Sequence, residues 1–185
     1  MVDEVLEVWR VHDEINFWLL ENIPAQGFAA VPLLKNGKPS NGRTVSRVFA
    51  HMHEVRRSHV TREFLKGVPR FETGVSPGRD ELLAAFHASG RGIGQRLSQI
   101  VEERLRFKER GGLVLLGYLI AHDSHHRGQI LLALKQSGVR MPDEARFTIW
   151  EHWSRPKLKL GVAQALGLAA AQHGMLSAPK PRGAT

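Results

Sequence analysis

Apolar residues recur along this chain at intervals of three and four, and four long stretches carry that period. Residues 3–23 hold Val5, Leu6, Val8, Trp9, Phe17, Trp18, Leu19 and Leu20 and run up to Pro24, which predicts a first amphipathic helix. Residues 44–66 repeat the pattern with Val45, Val48, Phe49, Met52, Val55 and Val60. Residues 79–107 do so with Leu82, Leu83, Phe86, Ile93, Leu97, Ile100, Val101 and Leu105, although Gly90, Gly92 and Gly94 weaken the middle and leave room for a kink. From Gly112 to Ser137 there is no proline. At about 100° per residue, Leu115, Leu119, His122, His126, Ile130 and Ala133 form one stripe there, and Leu113, Leu116, Ile120, Leu131 and Leu134 a second. A helix apolar over so much of its circumference belongs at the centre of its domain. Gly138 supplies its stop, with Pro142 beyond.

Residues 24–43 contain Pro24, Gly27, Pro32, Gly37, Pro39 and Gly42 and are expected to form a long irregular connection. Loops of that length often wall or cover a site. Residues 66–78 make a second break around Gly67, Pro69, Gly74 and Pro77. No convincing strand, internal repeat or low-complexity block is visible. Four long helices with breaks between them predict an all-α bundle, and the long first and second connections suit one with a crossover. Beyond it, residues 147–153 suggest a short aromatic helical segment, and the alanine- and leucine-rich residues 158–174 one more helix. The tail from Ser177 to Thr185 is expected to be disordered.

Composition adds limits rather than chemistry. The 185 residues suit a single domain with a sizeable core, and 42% hydrophobic with 24% charged residues is ordinary for a soluble protein. No apolar run approaches the roughly 20 residues needed to span a bilayer. The start, Met1-Val2-Asp3-Glu4, lacks a signal-peptide pattern, so a cytoplasmic location without membrane association is expected. The absence of cysteine excludes disulfides, thiolate metal ligands and a catalytic thiol on the protein.

The candidate chemistry lies in the last long helix. His122 and His126 stand four residues apart on its inward stripe, so their imidazoles can converge on one metal ion. His125 sits well round from them, near Tyr118, and is the weaker ligand. Histidines on an apolar face are more often packed core residues, and ten histidines make chance pairs common. A third ligand could come from Ala50-His51-Met52-His53-Glu54 in the second helix. His51 and His53 lie on opposite shoulders of the apolar face there, and periodicity does not choose between them. His59 falls on that face and suits the core.

The segments RVFAHMHEVR and GYLIAHDSHHRGQILLALKQSG together resemble the DinB/YfiT-like superfamily of four-helix-bundle metalloproteins, over residues 1–155. Ala50-His51 matches the family's second-helix motif; His122, His126, Gly128 and Gln129 match its fourth-helix motif. The resemblance implies an up-down-down-up bundle, with residues 156–185 as a C-terminal extension. It also implies a divalent-metal site of His51, His122 and His126, with His53 in reserve because the chain offers both.

Three neutral imidazoles would leave a cation charged and open at one position, as in catalytic sites. Such a cation acidifies water or a thiol, and zinc, nickel or iron would suit these ligands. The resemblance therefore implies a metal-dependent hydrolase or a transferase or isomerase using a low-molecular-weight thiol, acting on a small molecule. No protein nucleophile is assigned. Glu54 and Asp123 could orient ligands or shuttle protons, although acids beside helix ligands are usually solvated. Gln129 suits a helix-to-helix hydrogen bond, Arg127 a structural pairing, and Trp9, Trp18, Trp150 and Trp153 the core.

Two other classes compete with an enzyme. Net charge of +8 favours polyanions, but Arg43, Arg47, Arg56, Arg57, Arg62, Arg104, Arg106, Lys108 and Arg110 are spread out and read as solvated surface. No nucleic-acid-binding signature accompanies them. The alternative is a scaffold with a vestigial metal site, whose tryptophans and extension could form a homodimer surface.

Overall fold

Local signals start and stop most of the helices. A computed structural model describes residues 1–154 and contains α1 (Val2–Asn22), α2 (Val45–Ser58), α3 (Arg79–Glu102), α4 (Val114–Gln136) and α5 (Asp143–Ser154). Asp3 and Glu4 occupy the first turn of α1, where the helix dipole favours negative charge. The Thr44 hydroxyl accepts the Arg47 N–H at 3.3 Å to open α2, and the Glu81 carboxylate accepts the Gly78 N–H at 2.7 Å to open α3. Gly138, at φ +71°, closes α4 while the Val139 N–H bonds back to the Leu134 carbonyl. The all-α expectation holds, and the aromatic segment after the bundle is helical as α5. The expected helix at 158–174, the tail and the boundary at 155/156 lie outside the described residues. No helix among the described residues is long and apolar enough to cross a membrane.

Two helices are shorter than their periodicity suggests. Helix α2 ends at Ser58 rather than Lys66. Ser58, His59, Val60 and Thr61 are weak helix formers, and leaving the helix buries Val60 against Gly92. Helix α3 ends at Glu102 rather than Phe107 because Arg104 takes a left-handed conformation, φ 52°, and the Leu105 N–H bonds to the Ile100 carbonyl. That closure usually employs glycine. The chain then makes a small hairpin, β1 (Arg106–Phe107) against β2 (Arg110–Gly111), which corrects the expectation of no strand. The first connection also has a 3-10 turn at Ala25–Ala29. The glycines of α3 serve close packing within one continuous helix: a side chain at Gly90 would strike the Asp13 carboxylate, and one at Gly92 would crowd Val60.

Two apolar clusters give the helix directions. One unites Ile15, Phe17 and Leu20 of α1 with Val45, Phe49 and Met52 of α2, Leu82 and Phe86 of α3, and Ile130 and Leu134 of α4. The other unites Val5 and Trp9 with Val60, Ile93, Leu97 and Ile100, and Leu115 and Leu119. The N-terminal halves of α1 and α4 therefore share an end of the bundle with the C-terminal ends of α2 and α3, giving up-down-down-up. Only the second connection, between the parallel α2 and α3, must run back along the bundle. Helix α5 packs on α1, where the Trp18 indole donates to the Ala145 carbonyl at 3.0 Å and His152 Nε2 lies 2.6 Å from Glu14 Oε2.

Between the clusters lies a polar layer. Arg56, expected on the solvated surface, is fully buried. Its Nε and Nη2 donate to Asp123 Oδ2 at 3.0 and 2.7 Å, and its Nη1 donates to Asp13 Oδ1. Its guanidinium carbon stands 4.9 Å from the Trp9 ring centroid and 4.5 Å from that of Phe86. Burial alone would raise the Asp123 carboxyl, but Arg56 overrides it and holds it well below the usual carboxylate range. His12 Nε2 also meets Asp123 Oδ2, at 3.1 Å, while Arg127 donates to Asn16 Oδ1 at 3.0 Å.

Removing one member of a buried ion pair strands the other charge. Arg56→Gln should therefore cost about 3–5 kcal/mol, read as a lowered midpoint in urea unfolding. Stability should also respond to His12, whose surroundings are Asp123, Arg127 and Arg56. Burial, only partly offset by Asp123, lowers His12 from 6.5 to about 4. The folded state thus refuses a proton that the unfolded chain accepts. The contribution of His12 is complete above about 6.5 and falls as pH drops toward 4, by up to about 3 kcal/mol. Urea melts between these pH values should show a shallower decline in His12→Gln.

Candidate metal centre

The facing surfaces of α2 and α4 bring three histidines together. His51 projects from α2, and His122 and His126 from successive turns of α4; each offers one ring nitrogen, and these nitrogens lie within 4.8 Å of one another. The ring centroids are 5.3 Å apart for His51 and His122, 4.9 Å for His51 and His126, and 4.5 Å for His122 and His126. Imidazole nitrogens about 2.0–2.1 Å from one cation lie within about 4 Å of each other, so a modest closure of the rings would complete the site.

Hydrogen bonds at Nδ1 leave Nε2 free on two of the three rings. His122 Nδ1 lies 3.1 Å from Asp123 Oδ1, an acceptor only, so Nδ1 carries the proton and Nε2 keeps its lone pair. His126 Nδ1 donates to Gln129 Oε1 at 2.8 Å, again leaving Nε2 free. The Gln129 amide then donates to His125 Nε2 at 2.9 Å. Burial, aided by Arg43, lowers His51 to about 4. Burial also lowers His126, against the pull of its bond to Gln129. Both are therefore neutral at pH 7, which is the ligating form. The donor set fits a borderline divalent cation with an open coordination position.

His53 is not part of this cluster. Its Nε2 donates to the Pro69 carbonyl at 2.9 Å and its Nδ1 lies 3.1 Å from Ser89 Oγ, so both nitrogens are committed in the core. His125 is exposed and its Nε2 accepts from Gln129. His59 is half-buried rather than core, in edge-to-face contact with Phe107 and Tyr118, each 5.4 Å away; Tyr118 in turn stacks on His122 at 5.8 Å. These rings form one wall of the cluster.

Several expectations about neighbouring residues need correction. Asp123, expected to be a solvated acid, is fully buried and joins His122 to Arg56. Gln129 braces His126 within α4 instead of bonding another helix. Arg127 is structural, as expected, bonded to Asn16 and Ser124. Glu54 accepts the Phe71 N–H at 2.8 Å and so ties down the second connection. Trp9 lies in the core with its indole bonded to the Gly90 carbonyl at 2.9 Å, while Trp153 is 44% exposed.

The supporting residues His12, Asp13, Asn16 and Arg56 escaped the pattern reading, although a signal was present. His12 and Asn16 interrupt the stripe Val5, Trp9, Leu19, Ile23, and Arg56 continues the stripe Val45, Phe49, Met52. A charge on the apolar stripe of a central helix predicts a buried partner.

The model of the DinB family matches residues 1–155. No curated protein shows significant similarity to the chain.

Residues that orient a ligand histidine typically change metal affinity by about 10–100-fold when removed. Gln129 is exposed, so its loss should spare the fold. Gln129→Ala is expected to weaken zinc binding by about 10-fold in a chelator-competition titration, with an unchanged urea midpoint for the metal-free protein.

Proposed function

This chain belongs to the DinB family, and on that premise we propose that His51, His122 and His126 hold a divalent cation for small-molecule chemistry, either hydrolysis or transfer with a low-molecular-weight thiol. The observation that carries the reading is the convergence of three imidazole nitrogens, on two of whose rings a hydrogen bond at Nδ1 leaves Nε2 its lone pair. When bound, a cation with three neutral ligands supplies Lewis acidity and lowers the pKa of a water or thiol that shares it.

The chain's own residues perform the rest. Asp123 accepts the His122 Nδ1–H hydrogen bond and is kept ionised by Arg56, which raises the basicity of Nε2. Gln129 holds His126 in the matching tautomer. Tyr118 and His59 shield one flank of the cluster with apolar ring faces. We assign no nucleophile among the described side chains, so the attacking group would come from water or an added thiol.

Metal content by inductively coupled plasma mass spectrometry, on untagged protein, is the direct test. We expect about one zinc, nickel or iron per chain, lost in a folded His122→Ala/His126→Ala variant and retained in His53→Ala if that variant folds. Uptake by the native protein should be followed by metal-dependent turnover in a screen of thiol transfer and ester or amide hydrolysis. Failure to bind any of these metals after reconstitution would leave a histidine-lined groove and favour the scaffold.

A further inference from the structure

A pocket of about 180 Å³ opens beside His51, between the first turns of α2 and residues 71–75 of the second connection. Arg43, just ahead of the Thr44 cap, and Arg47, in the first turn of α2, line it on the way to His51. Neither guanidinium has a hydrogen-bond or ion-pair partner among the described residues. Arg56 and Arg127, by contrast, are fully engaged in the core. His51 belongs both to the histidine cluster and to a pocket that carries two unpaired arginines.

We propose that this pocket receives the carboxylate of a small monoanionic substrate or thiol, held by Arg43 and Arg47 while its reacting atom lies at the histidine cluster.

Guanidinium groups match carboxylates through paired N–H donors, and unpaired cations beside a reactive centre are suited to orientation. The pocket has room for a carboxylate and a few carbons. Two acids also line it and limit how much negative charge it accepts. Glu54 is engaged with the Phe71 N–H at 2.8 Å and lies 3.7 Å from Arg57. Glu72 is exposed and forms no ion pair with either arginine. A monoanion suits this balance better than a phosphate dianion.

The proposal rests on the metal reading only for the position of the reacting atom, so two arms separate them. In cobalt-loaded protein, visible absorption would be titrated with 3-mercaptopropionate, 2-mercaptoethanol and cysteamine. The acid should bind at least about 10-fold more tightly than the neutral thiol, as charge-assisted hydrogen bonds warrant. Arg43→Gln and Arg47→Gln should erase that preference without changing 2-mercaptoethanol binding, and Arg47→Glu should turn it toward cysteamine. In metal-free protein, propionate but not propionamide should shift the Arg43 and Arg47 Nε–H resonances. Equal binding of the three thiols would overturn the pocket assignment while cobalt uptake preserves the metal reading. If cobalt fails to bind, the metal reading falls, and the propionate arm alone decides the pocket; no shift there overturns it.

Discussion

Arg56 is the constraint on which the structure depends. A guanidinium with no exposure must keep its charge paired, and the partners come from different helices: Asp13 from α1 and Asp123 from α4. Burial works against the cation, but these two carboxylates hold its proton on firmly. Apolar packing alone would tolerate small slides of one helix along another. The guanidinium fork, sandwiched between Trp9 and Phe86, permits little sliding before a buried charge loses its partner. Gly90 belongs to the same constraint, because its missing side chain lets Asp13 approach α3.

That register also prepares the histidine cluster. Helix α2 carries Arg56 on its core stripe and His51 on its groove side, so fixing the first places the second. On α4, Asp123 faces the core with one oxygen on Arg56 and the other on His122. A single carboxylate thus couples the stability of the bundle to the tautomer of a candidate ligand. The layer is close to neutral within itself, with Arg56 and Arg127 set against Asp13 and Asp123. Arg43 and Arg47, outside it, are left with charge to offer a ligand.

Much of the helical plan was legible, and the failures have local physical causes. Gly138 announced the end of α4 because glycine favours the left-handed cap. Arg104 makes the same kind of cap at the end of α3, and an arginine carries no such signal. Helix α2 ends early because burying Val60 against Gly92 outweighs continuing a weak helical sequence. The interruptions at His12, Asn16 and Arg56 were visible as polar residues on apolar stripes, but the stripe does not name a partner. His12 meets an acid 111 positions away, and Arg56 one 67 positions away.

By itself, the sequence determined the positions of the long helices and the pairing of His122 with His126, because both follow from a repeat of 3.6 residues within one helix. It also placed His51 and His53 on opposite shoulders of α2 without ranking them. Tertiary structure decided between them: Pro69 and Ser89 occupy both nitrogens of His53, while α4 faces His51. It likewise turned Asp123 from an apparent surface acid into a buried link. One step along a helix turns a side chain by about 100°, and whether that turn leads to water, core or another histidine depends on which helix packs there.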